Sequence, residues 1–197
     1  MNKARPPRRQ LILEALARQL EENPGERITT ASLSRAVGVS EAALYRHFAS
    51  KAKMFEGLID FAEETIFARI TQILKEQPEA RQRCASLLYL LLGFSARNPG
   101  ITRVLLGEAL VGETERLLIR VSQFFTRLET QLKQILREGE MRDEPMRGVD
   151  VNVAANLMIA LVEGLMHQYL RSRFQLSPLA QWDAQWALLE SGLFVSA

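Results

Sequence analysis

Apolar residues recur along this chain three and four positions apart, which is the spacing of one face of an α-helix. Near the N-terminus Ile12, Leu16 and Leu20 form such a face, and their helix is predicted to run to about Glu22, where residues 23–25 break the pattern. No stretch alternates polar and apolar residues for long enough to predict a strand. The pattern therefore predicts an all-α protein.

The rest of the chain repeats this helical pattern. Two short helices come next, the first capped by Thr29 or Thr30 and the second, after a turn at Gly38, capped by Ser40. Further helices are predicted at about 51–76, 79–97, 112–138, 150–174 and 180–193, with a short one after residue 100. Residues 139–148 are polar, contain Pro and two Gly, and are predicted to form a loop.

The two short helices around Gly38 are the most informative part of the sequence. Both are shorter than the roughly 12 to 15 residues that an isolated helix needs, so packing must hold them. Two such helices joined by a glycine-containing turn indicate a helix-turn-helix, whose second helix enters the major groove of DNA. Ala42 and Ala43 would let that helix approach closely. Tyr45, Arg46 and His47 would supply donors to bases or phosphates.

Charge is unevenly distributed in a way that supports this interpretation. The whole chain has a net charge of +2, but residues 1–55 hold ten Lys or Arg against five acidic residues, a net charge of +5. Lys51 would add a phosphate contact at the start of a helix. The basic arm Lys3, Arg5, Arg8 and Arg9 could follow the DNA backbone or a minor groove. The sequence therefore predicts DNA binding by the N-terminal end.

Other function classes find little support. With a single cysteine, Cys84, and two histidines, the chain offers no Cys/His metal set, and no nucleophile motif is present, so neither an enzyme nor a cofactor is expected. Glu163 and His167 are one helical turn apart and are interpreted as an ordinary helix pair. The longest apolar run, residues 87–94, is short for a membrane span, so a cytoplasmic protein is expected.

Residues 28–59, ITTASLSRAVGVSEAALYRHFASKAKMFEGLI, resemble the DNA-binding domain of the TetR family of bacterial regulators. That family's pattern is a T-x-x-x-L-A-x-x-x-G-V segment followed by L-Y-x-H-F-x-x-K; Ser34 departs from it where Ala is common. The resemblance implies a helix-turn-helix domain over residues 1–55 and a helical dimerisation and partner-binding domain over residues 56–197. Position by position, it implies DNA contacts at Thr29, Thr30, Glu41, Ala42, Ala43, Tyr45, His47 and Lys51.

Two of the later helices have broad apolar faces. One is formed by Leu117, Val121, Phe124, Leu128, Leu132 and Ile135; the other by Ala154, Leu157, Met158, Leu161, Val162, Leu165, Met166 and Tyr169. Both could lie inside one subunit. Two wide faces in so small a chain, together with Gly164, which permits close helix approach, favour a helical homodimer interface.

A narrower resemblance, within the TetR family, is to a group that acts in nucleoid occlusion. The segments SEAALYRHF, LLLGFSARNPGITRVLLGEAL and EGLMHQYLRSRF carry it. It implies a nucleoid-associated protein that, bound to palindromic double-stranded DNA sites on the chromosome, antagonises polymerisation of the tubulin-like division protein FtsZ. The implied partner groove includes Phe61, Arg69, Leu90, Gly93, Arg97 and Asn98. The alternative is a ligand-responsive transcriptional repressor of the same fold.

Phe61 leaves two interpretations open. On its predicted helix it points about 120° away from the apolar stripe of Phe55, Ile59 and Ile66, at 100° per residue. It could therefore pack under the first helix. It could equally be a partly exposed aromatic anchor for a protein partner.

Overall fold

A computed structural model describes residues 7–144 and 147–195, and over these residues it contains nine α-helices and no β-strand. The prediction of an all-α protein is confirmed. The helices are α1 (Arg8–Glu22), α2 (Thr30–Val37), α3 (Glu41–His47), α4 (Lys51–Glu76), α5 (Ala80–Arg97), α6 (Pro99–Leu105), α7 (Glu115–Met141), α8 (Val151–Arg171) and α9 (Trp182–Leu193). Lys3 and Arg5 of the predicted basic arm lie outside the described residues.

Two local features differ from the predicted pattern. A 3₁₀ turn, Glu108–Leu110, lies between α6 and α7 and was not predicted. Helix α7 also continues to Met141, so residues 139–141 belong to a helix and not to the predicted loop. At Gly139 a Cβ atom would lie 2.7 Å from the Cβ of Ala80, so the missing side chain allows the last turn of α7 to lie against the start of α5.

The chain divides into two compact units. The first unit is the described part of Met1–Ala62 together with Asn98–Val121, and the second is Glu63–Arg97 with the described part of Ser122–Ala197. Helices α4 and α7 each contribute residues to both units. The boundary predicted after residue 55 falls within α4 and stays a prediction.

The first unit is built on α1. Its apolar face, Ile12, Leu16 and Leu20, is fully buried, as are Leu33 of α2 and Leu44 of α3. These residues hold the two short helices in place, because neither helix is long enough to be stable alone. Helix α6 packs directly on α1.

Arg103 of α6 joins several chain segments within the first unit. Its side chain is 1% exposed, and its guanidinium donates to the carbonyl oxygens of Leu20, Asn23 and Glu26 at 2.6, 2.7 and 3.3 Å. It also donates to both carboxylate oxygens of Glu108, at 2.5 and 3.1 Å. The residues that end α1 and lead to α2 are thus bound to α6.

The second unit contains the packing of α5 against α8 and α9. Cys84 of α5 is fully buried, and burial raises the pKa of its thiol, which keeps the thiol protonated and unreactive.

Among the described residues α8 alone has the length and mean hydropathy of a membrane span, a test that core helices also pass. In its most apolar window, 44% of the helix is buried inside the chain.

The two broad apolar faces differ in the structure. All six residues of the predicted α7 face are buried in the chain's own core. On α8, Met158 and Val162 are buried, whereas Val153 and Leu157 are 60% and 49% exposed. The expectation of a dimer interface is therefore wrong for the predicted α7 face, because that face is already covered. It stays a prediction for α8.

Candidate nucleic-acid interface and partner groove

Helix α2 begins with a reciprocal pair of hydrogen bonds at Thr29. The Thr29 Oγ1 atom accepts from the Ser32 backbone N–H at 3.0 Å, and the Ser32 hydroxyl accepts from the Thr29 backbone N–H at 3.2 Å. This capping box fixes where α2 starts. The helix ends at Gly38, whose φ of +71° is a left-handed conformation that favours glycine. Both ends of α2 are thereby fixed, and the turn to α3 starts at Gly38.

Helix α3 is held by one buried residue and presents the rest of its surface. Ser40 caps it, with its Oγ atom accepting from the Ala43 N–H at 3.2 Å, as predicted. Leu44 is buried and Ala43 is half-buried. The other predicted contact residues of this helix are exposed: Glu41, Ala42, Tyr45, Arg46 and His47. A short helix anchored on one side and open on the others has the form of a recognition helix.

Two of the predicted contact residues touch each other. The Thr30 hydroxyl, in the first turn of α2, donates to the Glu41 carboxylate of α3 at 2.6 Å.

Arg9, from the predicted basic arm, lies in the first turn of α1. Its guanidinium is 4.3 Å from the centre of the Phe48 ring and contacts the carbonyl of His47 at 3.5 Å. Arg9 thus lies at the C-terminal end of α3, where a cation is favourable.

Lys51 has a partner that was not predicted. Its Nζ atom lies 2.7 Å from a carboxylate oxygen of Glu113 and 5.5 Å from the centre of the Phe55 ring. Glu113 follows the 3₁₀ turn and is 62 positions further along the chain. Helical periodicity carries no information on such a pair, because Glu113 lies outside every predicted apolar face.

Four of the six predicted partner-groove residues line one open cavity of about 380 Å³ in the second unit, namely Arg69, Leu90, Gly93 and Arg97. The guanidinium of Arg97 lies beside Gly93, where a Cβ atom would be 3.5 Å from its nearest nitrogen. The Arg69 guanidinium donates to the side chain of Gln72 at 2.7 Å. The cavity thus combines two cations with apolar side chains.

The sequence did not predict the other residues that line this cavity: Ile73, Gln77, Ala85, Ser86, Tyr89 and Trp182. Tyr89 is 50% exposed, and its ring meets Trp182 edge to face with 6.0 Å between ring centres. Gln77 donates to the Ser86 hydroxyl at 2.7 Å. Tyr89 follows two leucines in an apolar run, so the sequence pattern alone did not separate it from the core.

The remaining two predicted groove residues, Phe61 and Asn98, line a separate cavity of about 210 Å³ in the first unit. Its other walls are formed by α1, α4 and α6: Gln10, Leu13, Glu14, Ala17, Leu58 and Ile101. Phe61 lies in a cavity that α1 helps to line, and its side chain is 40% exposed. Its role as an anchor for a protein partner stays a prediction. The predicted groove residues therefore fall into two cavities.

Glu163 and His167, interpreted from the sequence as an ordinary helix pair, lie one turn apart on α8. Glu163 is half-buried, and this burial raises the pKa of its carboxyl group, an effect that the nearby His167 opposes. The arrangement is that of a helix pair on a partly covered face.

Comparison with known proteins gives matches along most of the chain. Residues 12–58 match the bacterial regulatory proteins of the tetR family, and residues 78–193 match an SlmA-like domain described as a tetracyclin repressor-like C-terminal domain. The chain is 54% identical over 189 residues to the nucleoid occlusion factor SlmA of Shewanella sediminis, covering 96% of each chain. It is 53% identical over 180 residues to the nucleoid occlusion factor SlmA of Alteromonas mediterranea, covering 91% of this chain and 92% of the other.

Solved structures give the same architecture. The fatty acid degradation regulator FadR from Bacillus halodurans matches with a TM-score of 0.81 at 15% identity, covering 96% of this chain and 98% of that one. At this identity the likeness establishes the fold alone.

Proposed function

The chain belongs to the TetR family of DNA-binding regulators, in the group of nucleoid occlusion factors SlmA, and we propose that it antagonises polymerisation of FtsZ while bound to chromosomal DNA. Septum formation over the nucleoid would thereby be blocked. The protein would act in the cytoplasm, associated with the nucleoid. The identity of about one half to relatives named for nucleoid occlusion supports this proposal.

The DNA face we propose is the exposed surface of the helix-turn-helix. The two small residues Ala42 and Ala43 leave room for the groove floor, and the exposed Tyr45, Arg46 and His47 can donate to phosphates or base edges. The hydrogen bond from Thr30 to Glu41 supports the proposal, because it fixes both side chains before DNA arrives. Thr29 and Lys51 add contacts at the starts of α2 and α4.

A two-fold dimer would place two such faces on one palindrome. On α8 the exposed Val153 and Leu157 lie on the same face as Gly164. A Cβ atom at Gly164 would meet no neighbouring residue within 4 Å. On α9 the exposed Leu188 and the open Gly192 form a similar surface. Two recognition helices related by such a dimer would read half-sites about 34 Å apart.

The proposed FtsZ site is the cavity lined by Arg69, Leu90, Gly93 and Arg97. That these four residues share one open cavity is the observation that carries the proposal. Tyr89 and Trp182 add aromatic surface, and such anchors dominate the energy of many interfaces. Two arginines beside this surface favour a segment of FtsZ that carries acidic and apolar side chains.

Sedimentation of FtsZ polymers provides the test. FtsZ polymerised with GTP is pelleted with the chain, in the presence and absence of a duplex that the wild-type chain selects from a randomised library. We expect the wild-type chain to reduce the pelleted fraction, most strongly with the duplex. Arg69→Asp should abolish this effect at unchanged DNA affinity, because a like charge facing an acidic segment is strongly unfavourable.

Lys75→Asp is the matched control, since Lys75 is an exposed cation on the same helix that does not line the cavity. The Lys75→Asp variant should still antagonise FtsZ polymerisation. A wild-type chain without effect on FtsZ would contradict the proposed function and favour the ligand-responsive repressor. Full antagonism by Arg69→Asp would instead place the FtsZ contact elsewhere on the chain.

A further inference from the structure

We propose that Glu113 limits the affinity of this chain for DNA by holding the ammonium group of Lys51. A phosphate that binds Lys51 must then share it with Glu113 or displace that carboxylate. The inference rests on the phosphate contact proposed above for Lys51. It assigns a role in DNA binding to a residue that lies outside the helix-turn-helix.

The ion pair is short and partly shielded from water. The Lys51 Nζ atom and the Glu113 Oε1 atom are 2.7 Å apart, and the two side chains are 27% and 16% exposed. The ammonium group also lies over the Phe55 ring, 5.5 Å from the ring centre. Because solvent and salt screen such a pair less than an exposed one, it persists at ionic strengths at which surface pairs are weak.

The loop that carries Glu113 is held by hydrogen bonds to the residues just before Glu113. The Glu113 N–H donates to the Leu110 carbonyl at 2.9 Å, and Arg27 donates to the Val111 carbonyl at 3.1 Å. Gly112 has a φ of +80°, and a Cβ atom there would lie 1.7 Å from a guanidinium nitrogen of Arg27. A loop held in this way does not move easily, so the carboxylate stays near any phosphate that reaches Lys51.

The consequence follows from the chemistry of the two groups. An ammonium group has three N–H donors, so Lys51 can contact Glu113 and a phosphate together. The carboxylate and the phosphate are then two anions at close range and repel each other. A neutral glutamine at position 113 keeps an oxygen that accepts the Lys51 hydrogen bond and removes the repulsion.

The test measures binding of a labelled duplex, selected by the wild-type chain from a randomised library, over a range of salt concentrations. We expect Glu113→Gln to bind about three- to tenfold more tightly at low salt. The slope of log affinity against log salt should steepen by up to about 0.9, since Lys51 would replace more counterions. A scrambled duplex should show the same gain, because phosphate contacts do not depend on sequence.

Glu115→Gln is the matched control, because Glu115 is exposed and its substitution removes the same charge two positions away. It should leave the salt slope unchanged. Glu113→Ala is a second variant that removes the charge of Glu113. Circular dichroism and thermal unfolding establish that each variant is folded. An equal gain from Glu115→Gln, or no gain from either folded Glu113 variant, would overturn the proposal.

Combination with Lys51→Ala separates the two proposals. Lys51→Ala should weaken binding and flatten the salt slope, and Glu113→Gln should then have little further effect. If Lys51→Ala changes neither quantity, the proposed phosphate contact of Lys51 is wrong. Lys51→Ala could weaken binding while Glu113→Gln raises DNA affinity equally in the Lys51→Ala variant and in the wild type. In that case Glu113 acts through its general charge and not through Lys51.

Discussion

At the scale of single residues, Arg103 shows how one side chain fixes several segments of the first unit. Its planar guanidinium offers five N–H donors, a number that suits three backbone carbonyls and a carboxylate. The carbonyls of Leu20 and Asn23 lie at the C-terminal end of α1, where a helix leaves acceptors unsatisfied and favours a cation. Arg103 therefore stabilises the end of α1 and the approach to α2.

We expect Arg103→Ala to lower the free energy of unfolding by about 3 to 5 kcal/mol, because it leaves Glu108 without this partner and removes a donor from three carbonyls, of which the Leu20 contact is buried. Urea unfolding followed by circular dichroism measures the loss. Arg18→Ala is the control, since Arg18 is an exposed arginine on α1 and its removal should change stability by less than about 0.5 kcal/mol. Equal stability of the two variants would contradict this role.

The sequence reveals some of these residues and not others. The helix caps at Thr29 and Ser40 could be predicted from the sequence, because a hydroxyl side chain just before a helix accepts a hydrogen bond from an N–H group in that helix's first turn. The roles of Arg103 and Glu113 could not be predicted, because the three carbonyls that Arg103 binds and the Lys51 that Glu113 binds are distant along the chain. The buried stripe of α4, by contrast, followed from spacing alone.

At the scale of elements, the contact of α6 with α1 depends on a missing side chain. A Cβ atom on Gly100 would lie 1.9 Å from the carbonyl oxygen of Ala17, a backbone atom that cannot rotate away. The two helices are therefore closer at this point than any other residue would allow. This approach also brings Arg103, one turn further along α6, to the end of α1.

Gly100→Ala should lower the free energy of unfolding by about 1 to 3 kcal/mol, the usual effect of overpacking, because α6 must move away from α1. Thermal unfolding measures the effect. Thr65→Ala is the control: Thr65 is exposed on α4, and alanine favours a helix, so stability should be unchanged or higher. A Gly100→Ala variant as stable as wild type would show that α1 and α6 separate freely.

Helices α7 and α8 show what periodicity leaves undecided. Both have wide apolar faces, and a hydrophobic stripe predicts burial without saying which surface covers it. In α7 the predicted face is covered by the chain's own core, whereas in α8 an additional row that includes Val153 and Leu157 stays exposed. Only the tertiary packing distinguishes a core helix from one that offers a second face.

At the scale of the whole molecule, a DNA-binding regulator of this family needs two copies of its recognition helix on one site. The exposed row on α8 is the surface we propose for that association. A two-fold axis would present every substitution in this row twice within one interface. A single change on α8 should therefore have a large effect on assembly.

We expect Leu157→Glu to raise the dimer dissociation constant by at least about 100-fold, because two charges would be buried against an apolar face at roughly 1.5 kcal/mol or more each. Analytical ultracentrifugation over a range of concentrations measures this, and binding to a selected palindromic duplex should weaken while binding to a single half-site changes little. Met141→Glu is the control, since Met141 is 74% exposed at the end of α7. A Leu157→Glu variant that remains as dimeric as Met141→Glu would exclude the α8 row as the interface.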